Sequence, residues 1–113
     1  MNKELFRLLE GYKNSEVDKD FLIQSFDIMM DEEDGLRDEF VDYMKVDDKL
    51  KSIGAYTFED KRISVNLENV KKCAAKRTYY NDKLYALYVL RHELEHARSI
   101  KRLYERAHPG VCG

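Results

Sequence analysis

Apolar positions recur along this chain first at helical spacing, then in alternation, then at helical spacing again. Leu5, Phe6, Leu8, Leu9 and Tyr12 form a short amphipathic stripe that stops near Gly11–Asn14, which predicts a first helix. Ser15 followed by Asp18 resembles a capping box, with a hydroxyl and a carboxylate placed to satisfy free N–H groups. From it Val17, Phe21, Leu22, Phe26 and the run Ile28-Met29-Met30 predict a second helix, broken by Asp31-Glu32-Glu33-Asp34-Gly35. Leu36, Phe40, Val41, Tyr43 and Met44 then predict a third helix, ending around Lys49–Ser52.

The rhythm changes after Gly54. Ala55-Tyr56-Thr57-Phe58 and Arg62-Ile63-Ser64-Val65-Asn66 are rich in β-branched and aromatic residues, with Glu59-Asp60-Lys61 between them, the pattern of a short hairpin. Leu67, Val70 and Ala74 return to helical spacing through about Tyr80. Asn81 stands where it can cap the last and longest helix, from about Asp82 to Ala107, ended by His108-Pro109-Gly110. The expected fold class is α+β and predominantly helical. Residues 1–113 form a single domain, with a helical part over 1–52 and a hairpin plus helices over 53–113.

Composition agrees with that picture. Apolar residues make up 43% and charged residues 37% of 113, enough for one modest core and no more. One Pro and five Gly leave little loop chemistry, which favours helices. Residues 1–60 carry 17 acidic against 8 basic side chains and residues 61–113 carry 5 against 12. The plainer consequence is an acidic half packed beside a basic one; no stripe of Arg and Lys with interleaved aromatics marks a strand-binding face, so a nucleic-acid partner is disfavoured. Cys73 and Cys112 lie far apart without a CxxC pair, and no signal peptide or membrane-length apolar run occurs, so a cytoplasmic protein is expected.

The sharpest chemistry is His92-Glu93-Leu94-Glu95-His96. Residues four apart on a helix lie about 40° apart around its axis, so two imidazoles one turn apart can bind one Zn²⁺. Glu93 beside them can act as general base on a zinc-activated water and return the proton to a leaving amine. The stripe expected to be buried runs through Tyr85, Val89, His92, His96, Ser99 and Leu103, and two buried imidazoles need partners that a metal would supply.

Leu90-Arg91-His92-Glu93-Leu94-Glu95-His96-Ala97 resembles the active helix of the HExxH zinc metallopeptidases, the zincins. A hairpin, a helix and then the HExxH helix is also the order of the compact zincin half-domain, and small bacterial and phage-borne members such as the ImmA/IrrE-like peptidases have a similar layout. The resemblance covers roughly Ala55 to Arg106. It implies His92 and His96 as zinc ligands, Glu93 as catalytic base, a protein or peptide substrate, and the strand containing Ile63, Ser64 and Val65 as the edge that holds the substrate extended. Glu95 stands where many active zincins carry an uncharged residue, and Ser99 and Arg102 replace the Gly and third His of the metzincin pattern.

A catalytic zinc usually takes a third protein ligand. Glu105 and His108 are the candidates after His96, although Glu105 points about 180° away on an unbroken helix. Upstream, Glu59, Asp60 and the Asp31–Asp34 cluster also offer carboxylates. Three readings follow: a fragment of a longer peptidase, slightly favoured by the ending Pro109-Gly110-Val111-Cys112-Gly113; a minimal protein whose site is completed from upstream or by a partner chain; or a degenerate zincin without activity. The expected function is zinc-dependent peptide-bond hydrolysis, the alternative a non-catalytic helical interaction protein. Eight tyrosines and Cys73 are most simply core and rim, and Arg91, Arg98, Lys101, Arg102 and Arg106 the solvated face of the last helix.

Overall fold

The computed structural model describes residues 2–33, 35–76 and 81–107. Among these the chain is α+β and mostly helical, in the order α1 (Lys3–Gly11), α2 (Lys19–Glu32), β1 (Tyr43–Val46), β2 (Gly54–Thr57), β3 (Arg62–Val65), α3 (Leu67–Lys76) and α4 (Asp82–Ala107). Side-chain oxygens set the helix starts. Asn2 Oδ1 accepts from the Glu4 N–H, and Asp18 Oδ1 accepts from the Phe21 N–H at 2.8 Å. The N-cap of α2 is therefore Asp18 and not Ser15; Ser15 instead ends the turn after α1, its N–H bonded to the Tyr12 carbonyl. Asn66 caps α3 through the Asn69 N–H at 2.9 Å, and Asn81 caps α4 through the Leu84 N–H at 2.7 Å, as its position predicts.

The hairpin forms where the alternation places it, with β2 antiparallel to β3 and Tyr56 opposite Ile63. Its turn closes with the Lys61 N–H on the Phe58 carbonyl at 3.0 Å, and Lys61 takes a left-handed φ of 51°.

The expected third helix over Leu36–Ser52 does not form. Leu36, Phe40 and Val41 are buried in a tight turn in which Asp38 adopts φ 71°, a conformation that ends any helix. The chain then straightens into β1, which pairs in parallel with β3, Met44 beside Ile63 and Val46 beside Val65. Met44 and Val46 are half-buried while Tyr43 and Lys45 are exposed, the two-residue period of a strand. The apolar spacing over Leu36–Met44 fits both periods; the partner strand some twenty residues onward decides between them.

The sheet order β1-β3-β2 makes β3 its centre. Met44, Val46, Ile63, Val65, Gly54 and Tyr56 share one face by register, and α4 packs on that face. The buried side of α4 is Tyr85, Ala86, Leu87, Val89, Leu90, Glu93, Leu94 and Ala97. These residues join Phe21, Leu22, Met29 and Met30 of α2 and the sheet residues in one core.

Two polar ties bridge distant parts of the chain. Arg98 on α4 donates to both carboxylate oxygens of Glu33 at the end of α2, one of them at 2.8 Å, joining the basic half to the acidic half. At the other end of α4, Asp82 Oδ2 accepts from the Val17 N–H at 2.8 Å, and Lys83 Nζ donates to the Ser15 carbonyl at 2.9 Å. Burial pushes the Asp82 carboxyl up, but the hydrogen bonds from Lys83 and Val17 outweigh it and hold the group below its ordinary value.

A carboxylate depressed in the fold contributes stability above its unfolded pKa of about 3.9 and loses it as pH falls through the folded value. Asp82→Ala is expected to lower stability by about 1–2 kcal/mol at neutral pH, read as a shift of the urea midpoint. The gap to the parent protein should close as pH falls from about 5 towards 2. A gap of equal size throughout would mean that the charge of Asp82 contributes nothing.

Candidate metal centre

The unbroken helix α4 carries His92, Glu93 and His96 past the edge of the sheet. Their ligand atoms all lie within 4.8 Å of one another, and this is the group of metal-ligating side chains found among the described residues. The two imidazoles meet Nε2 to Nε2 at 3.2 Å, with ring centroids 4.8 Å apart and planes at 88°. Two nitrogens bound to one zinc at about 2.0–2.1 Å with a tetrahedral angle stand about 3.3 Å apart. The pair therefore already has the separation of two ligands on one ion. One tautomer of the same pair also satisfies an Nε2–H···Nε2 hydrogen bond.

Burial within the motif is the reverse of the sequence expectation. Both histidines are exposed, as is Leu103, whereas Glu93 is only 6% exposed. The stripe turned to the core runs through Ala86, Val89, Leu90, Glu93, Leu94 and Ala97, so the imidazoles lie on its flank. The need of buried imidazoles for partners consequently disappears as an argument for metal. In its place stands a buried carboxylate: no donor among the described residues hydrogen-bonds to Glu93. Burial raises its pKa, against a smaller downward pull from His96 and His92.

Glu93 sits where α4 and β2 come closest. A Cβ on Gly54 would lie 3.0 Å from Glu93 Oε2 and 3.0 Å from Val89 Cγ1, so only glycine leaves the carboxylate its present position. Beside it opens a cleft of about 230 Å³ lined by Ile53, Gly54, Tyr85, Tyr88, Val89 and His92, with Glu93 in its wall. Tyr85, Tyr88 and His92 step along the helix with ring centroids 6.0 and 6.2 Å apart. Sequence reasoning passed over Gly54 and this cleft; a glycine at the start of a strand was the signal present.

The remaining candidates fall elsewhere. Glu105 lies beyond His96 on the same continuous helix and pairs with Lys101 at 3.7 Å, so the structure does not bring it to the histidines. His108 and Asp34 lie outside the described residues. Asp31 pairs with Arg37, Asp60 with Arg62, and Glu33 with Arg98, and none joins the group. Glu95 turns away from Glu93 and is held by Arg98 at 2.6 Å and Arg102 at 2.9 Å, bonds that keep its carboxyl below its ordinary value.

Ile63, Ser64 and Val65 are not a substrate edge. β3 is paired on both sides, so its backbone groups are committed to β1 and β2. The strand beside the motif with an outer edge is β2, and it approaches Glu93 through Gly54. No family model, curated protein or solved structure matches this chain.

Two substitutions probe this geometry. Glu93→Gln, in protein stripped of metal, is expected to raise stability by up to about 1 kcal/mol, because it removes the charge of a carboxylate that packing has stripped of part of its water while keeping its shape. Gly54→Ala is expected to lower the Tm by the equivalent of about 1–3 kcal/mol through overpacking against Glu93 and Val89. Thermal unfolding measures both, and a neutral Gly54→Ala would show that the two elements have room to separate.

Proposed function

We propose that this chain is a zinc-dependent hydrolase of peptide bonds in which His92 and His96 hold the metal and Glu93 is the general base. The observation that carries the reading is the conjunction on one helix turn of two nitrogens at ligand separation with a largely buried carboxylate to which no donor among the described residues hydrogen-bonds. Zinc at this position would supply Lewis acidity and lower the pKa of a water towards about 7.

Glu93's own part follows from its surroundings. Glu93 lines the cleft, and the raised affinity of its carboxylate for a proton suits a group that takes one from water and returns it to a leaving amine. Ile53, Tyr85, Tyr88 and Val89 give the cleft largely apolar walls that suit an apolar side chain of a peptide. We place this activity in the cytoplasm, on the sparse cysteine content and the free thiol of Cys73. Among the described residues no helix is long and apolar enough to cross a membrane.

A second reading rests on one specific observation: among the described residues the histidines are joined by no possible ligand other than Glu93, the group the first reading needs as base. Under it the chain is a helical interaction protein that retains a zincin-like motif without turnover. The two readings separate in Glu93→Gln. Under the first, this variant binds zinc as the parent does and loses hydrolysis of a peptide library by about 10²–10⁴-fold, while His96→Ala loses the zinc. Hydrolysis undiminished in Glu93→Gln would remove the base from the mechanism, and a parent protein that binds zinc and cleaves nothing would leave the second reading.

A further inference from the structure

We infer that Asn66 is a positioning residue for the substrate: its side-chain amide holds the connection between β1 and β2, which forms the part of the cleft that α4 does not build. The inference rests on the hydrolase reading of that cleft and deepens it. Tyr85, Tyr88, Val89, His92 and Glu93 line the cleft from one continuous helix, so their spacing is fixed by its pitch. Ile53 and Gly54 are the two lining residues that do not lie on α4. Their side of the cleft depends on how residues 47–53 are held.

Apolar packing does little for most of that segment. Asp48, Lys49, Lys51 and Ser52 are exposed, and Ile53 at its end is the residue that packs against the core. Hydrogen bonds do the rest, and they converge on Asn66, which is 4% exposed where β3 passes into α3. Asn66 Nδ2 donates to the Leu50 carbonyl at 2.9 Å and to the Asp48 carbonyl at 3.2 Å. Its backbone N–H donates to the Ile53 carbonyl at 2.8 Å, one step beyond the pairing of Gly54 with Val65. Carbonyls of Asp48, Leu50 and Ile53 thus close around one residue. Oδ1 is engaged on the other side, where it accepts from the Asn69 N–H at the start of α3.

A helix cap needs the oxygen alone, and Asp or Ser caps about as well as Asn. The amide nitrogen is the part of Asn66 that the helix does not use, and both of its bonds go to the loop. A wall held before substrate arrives need not be ordered on binding, whereas a loose one costs affinity for every group that must be immobilised. His92, Glu93 and His96 lie on α4, and the register of Gly54 with Val65 needs only backbone groups. Loss of the amide therefore weakens substrate binding and leaves zinc and the proton-transfer step in place.

Asn66→Asp and Asn66→Ser in the full, zinc-loaded chain test this, since both keep an oxygen to cap α3 and remove the amide donor; the Asp variant also sets a carboxylate against two carbonyls. KM and kcat are measured on one peptide, the best cleaved of a random-sequence library, with zinc content by elemental analysis and amide exchange by NMR. The expected result in both variants is a KM raised about tenfold with kcat within about twofold of the parent. Zinc content should be unchanged. The Leu50 amide and the backbone amide at position 66 should exchange about tenfold faster, while those of Asn69 and Val70 keep their rates. A parental KM in both variants would overturn the inference, as would unchanged exchange at Leu50. Faster exchange spread through α3 and α4, with activity falling in step, would overturn it too and leave Asn66 a purely structural residue. A parent protein that binds zinc and cleaves no peptide would overturn the hydrolase reading itself, and the substrate role of Asn66 with it.

Discussion

The close approach of α4 to β2 is the constraint on which the rest of this structure depends. A helix of 26 residues can lie flat on a three-stranded sheet only if one stripe of it is apolar and the sheet leaves room beneath. Ala86, Val89, Leu90, Leu94 and Ala97 supply the stripe, and Gly54 supplies the room where Glu93 passes. The same packing that buries the core thus strips a carboxylate of part of its water and leaves it facing a cleft. Burial of that group opposes folding; everything else along the stripe favours it.

The polar ties at the two ends of α4 hold this arrangement in register. Arg98 is clamped by Glu33 from α2 and by Glu95 from its own helix, and the hydrogen bond to Glu33 raises the guanidinium's pKa further. Asp82 and Lys83 fix the other end to the segment before α2. Between these anchors the helix has little freedom to slide, which matters because a shift of one turn would carry Glu93 away from Gly54. The acidic and basic halves of the chain therefore meet at specific points, chiefly Arg98 with Glu33, and not as two diffuse surfaces. Glu95 is used in that anchoring and leaves the wall of the cleft to Glu93 and His92.

Much of the architecture was legible in the sequence because it depends on local rules. Helical spacing located α1, α2, α3 and α4; Asn81 stood where it satisfies an N–H at the start of α4; and the alternation from Ala55 to Val65 marked the hairpin. The segment from Leu36 to Ser52 was misread as a helix because its strand character comes from pairing with β3, a contact that no local period encodes. The same pairing moved β3 from an edge to the centre of the sheet and so took Ile63, Ser64 and Val65 out of reach of a substrate.

For the candidate site the division is equally physical. The sequence by itself determined which side chains share a helix turn, since the pitch of an α-helix places His92 and His96 together wherever the helix forms. It also determined that Glu105 would point elsewhere on an unbroken helix. Only the tertiary structure decided which of these groups loses its water. A helix has many ways to turn a stripe of mixed residues toward a sheet, and the one adopted here buries Glu93 against Gly54 while leaving both imidazoles exposed. Burial is a property of what lies on the other side of the contact, so it could not be read from α4 alone.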